Sequence, residues 1–157
     1  MATADSLLED LERFARRLRD HFKTALVSVV FYGSRARGEA RPHSDLDCLV
    51  IAEGLPGSRL ERHGIMLGLA REVSEEFADA LSCLSLTTDE ARHVHPFYLG
   101  MLSGHRILHD KGGFFAAVLG RLRLRLAELG SVRHVDEDGY EFWDLKPDWK
   151  PGDVVEL

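Results

Sequence analysis

The sequence predicts a single α+β domain in which helices flank a small mixed β-sheet. Helical spacing and short apolar, strand-like runs alternate along the chain, and the first helix carries an apolar stripe that needs a sheet to cover it. The 157 residues are enough for one hydrophobic core, and no stretch long enough for a second autonomous domain is evident. We therefore expect residues 1–157 to form one domain.

The first elements are predicted by their periodicity. Apolar side chains recur at intervals of three and four in residues 5–22, which indicates an amphipathic helix. The runs 25–32 and 47–53 are short, apolar and rich in β-branched residues, which is typical of strands. The segment between these two strands is rich in arginine and ends in a pair of aspartates.

The later elements follow from the same signals. They are a helix through 59–77, a strand over 80–86, a helix over 87–102, an edge strand over 105–110 and a helix over 114–130. Residues 140–157 combine aromatic residues with two prolines and a glycine, so we expect 134–157 to form an extended C-terminal arm with little regular structure. Trp143 and Trp149 in this arm either pack over the domain or contact a partner.

Composition limits the function classes. The net charge of −6 argues against broad binding to a nucleic-acid backbone, which depends on a surplus of Lys and Arg. No apolar run has the length needed to cross a bilayer and the first residues do not resemble a secretory signal, so we expect a cytoplasmic protein without a membrane partner. Cys48 and Cys83 lie in apolar strand-like runs, which favours buried, reduced thiols.

Asp45 and Asp47 are the first candidate site residues. Residues i and i+2 of a strand point to the same side, so the two carboxylates are expected on one face. Two crowded anionic groups disfavour each other's ionisation, and hard anionic oxygens are the ligands that Mg²⁺ prefers. We therefore predict that Asp45 and Asp47 are catalytic residues that bind Mg²⁺.

The turn before the aspartates is suited to phosphate. Gly33 permits close approach of the backbone to a ligand, and Ser34 is expected to cap a short helix and to donate a hydroxyl hydrogen bond. The start of such a helix favours an anion. The complete set of predicted nucleotide-binding residues is Gly33, Ser34, Arg35, Arg37 and Ser44, with Arg41 as a further source of positive charge.

Phosphate and metal sites together indicate nucleotidyl transfer. A metal held by carboxylates stabilises charge while a hydroxyl attacks the α-phosphorus of a nucleoside triphosphate and pyrophosphate leaves. The four fixed positions of the pattern Gly-Ser-x10-Asp-x-Asp recur by chance in about one chain in several hundred of this length. The motif is therefore the most specific feature of the sequence.

The stretch "GSRARGEARPHSDLD" resembles the signature of the DNA polymerase β-like nucleotidyltransferase superfamily. The small size and the closing "FWDLKPDWKPGDVVEL" resemble its minimal nucleotidyltransferase (MNT) family. This resemblance implies a polymerase β palm-like fold, with phosphates at Gly33 and Ser34 and Mg²⁺ at Asp45 and Asp47. It also implies a HEPN-domain toxin as partner, neutralised by transfer of AMP from ATP to one of its tyrosines.

The sequence departs from the superfamily pattern at one point, and this leaves alternatives open. Many members carry a third acidic residue on a later strand, where this chain has Ser82. Asp79 and Asp89 lie on either side of that strand and are weaker candidates for a third ligand. A non-catalytic antitoxin that binds nucleotide and masks its partner is the first alternative. An aminoglycoside-type nucleotidyltransferase, which would need a dimer, is the second, so a homo-oligomer also stays open.

Overall fold

The computed structural model describes residues 4–157, and the predicted fold class is confirmed. Seven α-helices and six strands are described in this range, together with 3₁₀ turns at Lys23–Ala25 and Lys111–Gly113. In chain order they are α1 (Ala4–Phe22), β1 (Leu26–Tyr32), α2 (Gly33–Ala36), β2 (Leu46–Ala52), α3 (Arg59–Arg71), α4 (Glu75–Ala80), β3 (Leu81–Leu86), α5 (Thr88–Arg92), α6 (Phe97–Met101), β4 (Arg106–Asp110), α7 (Phe114–Leu129), β5 (Val132–Val135) and β6 (Glu141–Asp144).

The main sheet is mixed. Its four strands have the order β3-β2-β1-β4. β1 is antiparallel to both β2 and β4, whereas β2 and β3 are parallel. The prediction of an edge strand for β4 is therefore confirmed. β1 and β2 occupy the centre of the sheet, which explains why their sequences are apolar on both faces.

Helices cover both faces of the sheet. One core lies between the sheet and α1, α3 and α4, where Phe14 of α1 packs with its ring centroid 5.5 Å from that of Phe77. The other core lies between the sheet and α5, α6 and α7, where Tyr98 and Phe115 are fully buried. Residues 47, 49 and 51 of β2 face this second core, so Asp47 opens onto the α5–α7 side of the sheet.

Two segments that are predicted to be single helices each form two helices, although the spacing of their apolar residues continues. The segment 59–77 forms α3 and α4, because Ser74 is extended and its hydroxyl accepts a hydrogen bond from the Phe77 N–H to start a new helix. The segment 87–102 forms α5 and α6. Pro96 separates them, since its ring disfavours a helical conformation for the residue before it. In both cases apolar periodicity continues across a helix boundary.

The C-terminal arm is more regular than predicted. β5 and β6 pair antiparallel from Val132 opposite Asp144 to Val135 opposite Glu141. Asp136 closes the turn with its carboxylate, which accepts hydrogen bonds from the Asp138 and Tyr140 N–H groups. Beyond the turn between these strands, the described residues after Asp144 form no further strand or helix. We call residues 132–144 the C-terminal hairpin.

The predictions for the cysteines and tryptophans are confirmed for Cys48 and Trp143, whereas Cys83 is less buried than expected and Trp149 does not pack over the domain. Both thiols are free, with Cys48 buried and Cys83 half-buried. Trp143 packs against the core beneath α7, whereas Trp149 is exposed. Within the described range, no helix has both the length and the apolar character needed to span a membrane.

Candidate active site

The two predicted metal ligands lie at the start of β2. Asp45 is exposed in the loop and Asp47 is half-buried on the strand. The register places Asp47 directly between Tyr32 on β1 and Ser82 on β3. Asp47 therefore lies in the middle of a row of three strand ends, which open together beside the α5–α7 layer.

Gly33 brings the two halves of the motif into contact. Its φ of 81° is in the left-handed region. A Cβ atom at this position would lie 2.1 Å from Oδ2 of Asp47, far inside van der Waals contact. Only glycine therefore fits between the end of β1 and the carboxylate, and the chain enters α2 directly against Asp47.

The carboxylates are crowded. Burial raises the pKa of Asp47 above its ordinary value, and the nearby charge of Asp45 raises it further, while the positive charge of Arg37 opposes both. The pKa of the Tyr32 phenol is also raised, first by burial and then by the charge of Asp47. A site that holds negative charge against these costs is suited to a cation.

Two predicted nucleotide-binding residues, Arg35 and Ser44, form hydrogen bonds within the segment 33–45, which we call the motif loop. Arg35 donates from Nε to the Ser44 carbonyl at 2.7 Å. The Ser44 hydroxyl accepts from the Arg41 N–H at 2.9 Å. These bonds join α2 to the turn before Asp45, so Arg35 and Ser44 fix the distance between the two halves of the motif.

Ser34 and Arg37 are placed differently from Arg35 and Ser44. Ser34 lies within α2, whose N-cap is Tyr32, so the prediction that Ser34 caps the helix is wrong. Its carbonyl accepts from the Glu39 N–H at 2.9 Å. Arg37 pairs with Glu39 at 2.9 Å, and its side chain lies against Gly104, where a Cβ atom would be 2.9 Å from Arg37 Cγ.

No third carboxylate completes the pair. Ser82 holds the position opposite Asp47 and is exposed. Asp89 lies in α5, beyond the other end of β3, and pairs with Arg92 at 2.7 Å, so it is not a metal ligand of this site. Asp79 lies near the correct end of β3 but is exposed on α4, and its role stays a prediction. Across residues 4–157, no three His, Cys, Asp or Glu side chains form a metal-binding group.

Two aromatic residues lie beside the site and were not among the residues predicted for it. The rings of Tyr32 and Phe97 stack with centroids 5.9 Å apart. Tyr32 immediately precedes the Gly-Ser pair, so its place next to Asp47 follows once β1 and β2 are paired antiparallel. Phe97 comes from α6, and no local pattern in the sequence indicates that this helix reaches the site.

A family model matches this part of the chain. The model described as nucleotidyltransferase domain covers residues 11–96, from α1 to the start of α6. A protein of Methanocaldococcus jannaschii, provisionally named protein adenylyltransferase MJ1305, is 26% identical over 147 residues, which are 92% of this chain and 94% of that protein. The similarity to this relative therefore includes the C-terminal hairpin.

Two further matches either cover less of the matched protein or share less sequence with this chain. A bifunctional uridylyltransferase/uridylyl-removing enzyme of Burkholderia mallei is 29% identical over 110 residues, which are 69% of this chain but only 12% of that enzyme. A chain of a toxin–antitoxin crystal structure with AMP-PNP aligns with a TM-score of 0.50 at 15% identity, covering 76% of this chain and 92% of that chain. The structural likeness establishes the fold.

Proposed function

The chain belongs to the nucleotidyltransferase domain family, and from this premise we propose that it transfers AMP from ATP to a hydroxyl group of a protein partner. The contact between Gly33 and the Asp47 carboxylate carries the proposal, because it joins a phosphate-binding turn to an anionic metal site. The choice of AMP and of a protein acceptor is supported by the name of the Methanocaldococcus jannaschii relative, whose similarity covers nearly the whole chain.

Asp45 and Asp47 are suited to Mg²⁺. They supply hard carboxylate oxygens. Burial and then the like charge of Asp45 raise the pKa of Asp47, and a divalent cation would offset both costs. When bound there, Mg²⁺ would neutralise charge on the triphosphate oxygens. We therefore assign both the metal-binding and the catalytic role to this pair.

The motif loop would hold the nucleotide phosphates. Gly33 and Ser34 begin α2, where the first N–H groups of a helix have no partner within the helix. Arg37 lies close enough for its charge to act on Asp47, so it would also act on a phosphate bound beside that carboxylate. Arg35 and Ser44 would contribute mainly by fixing the loop.

The transfer itself needs little from the protein beyond positioning. The acceptor oxygen forms a bond to the α-phosphorus, the bond from this phosphorus to the bridging oxygen breaks, and pyrophosphate leaves. Because Ser82, and not a carboxylate, lies opposite Asp47, we propose that the acceptor proton passes to solvent water. A tyrosine, whose phenol has a pKa of about 10, gives up this proton more readily than serine or threonine, so tyrosine is the favoured acceptor.

The partner we propose is a HEPN-domain toxin, as the resemblance of the motif and tail to the MNT family implies. The protein would then act as an antitoxin in the cytoplasm, where ATP is available and thiols such as Cys48 and Cys83 remain free.

A second function is favoured by Ser82. Without a third carboxylate to accept the proton, the chain would bind ATP and its partner but transfer nothing. Such an antitoxin would neutralise its partner by masking it, and Asp45 and Asp47 would be needed only for nucleotide binding.

Intact-mass spectrometry separates the two functions. A HEPN-domain protein co-expressed with this chain is incubated with it, ATP and Mg²⁺, and the same is done with the Asp45→Asn, Asp47→Asn double variant. Asp89→Asn, which changes an exposed carboxylate at the other end of β3, is the matched control. We expect added mass in units of AMP with wild type and control but not with the double variant. If a stable complex forms without added mass, the protein masks its partner and transfers nothing.

A further inference from the structure

A cleft opens beside the candidate active site, between the motif loop and the C-terminal hairpin. It encloses about 630 Å³, a volume in the range of ligand-binding pockets. The residues that matter for its chemistry are Arg37, Leu99, Arg133, Tyr140, Glu141 and Trp143. Arg37 lines the cleft at the end of α2, and the first residue of this helix, Gly33, lies against the Asp47 carboxylate, so the cleft lies near the carboxylate pair.

The hairpin wall of this cleft is held in place by a polar network. The Ser103 hydroxyl, just after α6, donates to the Glu141 carboxylate and accepts from Arg133 Nη1 at 3.0 Å. Arg133 and Glu141 themselves approach to 3.5 Å across the hairpin. Trp143, on the same hairpin face, packs into the core below. The wall is therefore fixed relative to α6 and the motif loop, as a recognition surface needs to be.

The charges of the cleft are balanced. Arg37 pairs with Glu39, which also lines the cleft, and Arg133 pairs with Glu141. A triphosphate would meet both carboxylates and is therefore a poor occupant, whereas a polypeptide segment offers few charges and many backbone donors and acceptors. The cleft also presents apolar surface from Leu99 and Trp143.

Two groups on the hairpin differ in whether a peptide in the cleft could reach them. The Tyr140 side chain is 70% exposed, although its backbone is fixed by Asp136 at the turn. The indole N–H of Trp143 is buried and has no acceptor among the described residues. Exposed aromatic rings on a fixed backbone are typical anchors of protein interfaces, so Tyr140, and not the shielded indole N–H of Trp143, is the group that a bound peptide would contact.

From these observations we propose that the cleft between the motif loop and the C-terminal hairpin binds the acceptor, as an extended polypeptide segment that carries the tyrosine to be modified. The inference rests on the proposed function and adds to it where the acceptor chain lies. The segment would run between Arg37 and the hairpin, with its phenol directed toward Asp45 and Asp47. Tyr140 would pack on a side chain next to the modified tyrosine.

The test uses peptides as the probe. Arrayed heptapeptides with a central tyrosine and varied flanking residues are incubated with the protein, Mg²⁺ and ATP labelled at the α-phosphate. The variants are Tyr140→Ala, which removes an exposed ring only, and the double variant Arg133→Ala, Tyr140→Ala. Arg121→Ala, an exposed arginine of α7 outside the cleft, is the control. Affinity for AMP-PNP is measured for each protein in parallel.

We expect labelling by the double variant to fall about ten-fold, with Tyr140→Ala intermediate, while the control labels like wild type and AMP-PNP affinity stays within about two-fold. Equal labelling by wild type and the double variant would overturn the inference alone. A loss of AMP-PNP affinity would assign the cleft to the nucleotide instead. If wild type labels no peptide, recognition of a linear segment is wrong, and the mass measurement on the intact partner shows separately whether the proposed function has also failed.

Discussion

Carboxylates lie at opposite ends of the parallel strands β2 and β3, and their surroundings shift their pKa values in opposite directions. Glu90, after β3, accepts from both terminal nitrogens of Arg62 at 2.7 and 3.1 Å and from the Thr87 N–H at 2.8 Å. These bonds, led by the one from Arg62, lower the pKa of Glu90 to about 2. Asp47, at the start of β2, is instead held beside Asp45 with its pKa raised.

This difference is the one expected between a structural carboxylate, Glu90, and the carboxylate that we propose binds metal, Asp47. Glu90 closes a capping box at the start of α5 and neutralises the buried Arg62, so its charge stabilises the fold. The charge of Asp47 is maintained against burial and a like charge, which reduces stability unless a ligand binds there. Substitution of Asp47 should therefore mainly lower activity, whereas substitution of Glu90 should mainly lower stability.

The largest expected effect is that of Asp47→Asn on activity. Removing the charge should lower the rate of AMP transfer by about 100-fold or more, because the metal loses a ligand. The melting temperature should stay the same or rise, since the repulsion from Asp45 is relieved. The rate is followed by mass spectrometry of the acceptor and stability by thermal unfolding. A variant that keeps more than about a tenth of the activity would remove Asp47 from the mechanism.

Gly33→Ala should affect both activity and stability. The new Cβ would overlap Oδ2 of Asp47 and would sit on a left-handed backbone, so we expect a loss of about 1–2 kcal/mol in unfolding free energy and at least a ten-fold loss of transfer. Gly38→Ala is the matched control, because Gly38 has a φ of 75° but nothing within 4 Å of its Cβ position. If both variants lose activity equally, backbone strain rather than contact with Asp47 explains the requirement for glycine.

At the other end of the strands, Glu90→Gln should lower stability and leave activity unchanged. Arg62 is only 7% exposed and would lose its charged partner, which costs about 1–2 kcal/mol when the partial exposure of Glu90 is considered. Chemical denaturation measures the difference. Glu75→Gln, which breaks an exposed pair with Arg71, is the control and should change little. A loss of transfer activity in Glu90→Gln would show that the two ends are not independent.

The smallest effect is in the pH dependence of stability. The folded pKa of Glu90 lies below its ordinary value of 4.5, so its contribution is complete above about pH 4.5 and is lost as the pH falls toward 2. The stability difference between wild type and Glu90→Gln should therefore shrink over this window. For Asp47 the sign is reversed, because its raised pKa means that protonation in acid relieves a cost. Denaturation midpoints from pH 7 to 2.5 test both directions, and a constant difference for Glu90→Gln would contradict the assignment.

Much of this contrast could be predicted from the sequence, because it depends on neighbours along the chain or on strand alternation. The spacing of Asp45 and Asp47 predicts a shared face, and Gly33 at the end of an apolar run predicts a tight turn. Thr87 followed by Glu90 similarly predicts a helix start. The structure confirms the strands and the turn and adds the contact that joins Gly33 to Asp47.

Features that depend on distant contacts could not be predicted. Arg62 meets Glu90 only because α3 crosses the end of β3, and Phe97 reaches Tyr32 only because Pro96 breaks the helix before it. The strands of the C-terminal hairpin are short and largely exposed, so they lack the apolar alternation that marks a strand. Ser103, in another segment, fixes this hairpin, which explains why the arm was expected to be irregular.

Calorimetric binding of AMP-PNP, with and without Mg²⁺, to wild type and to Asp47→Asn shows whether Asp47 holds a metal ion against the nucleotide phosphates. We expect Mg²⁺ to strengthen binding to wild type by at least ten-fold and to have little effect on the variant, because the carboxylate pair holds the metal against the phosphates. Binding that is equally tight without Mg²⁺, or that Mg²⁺ strengthens equally in both proteins, would contradict the assignment of Asp47 as the metal-binding carboxylate.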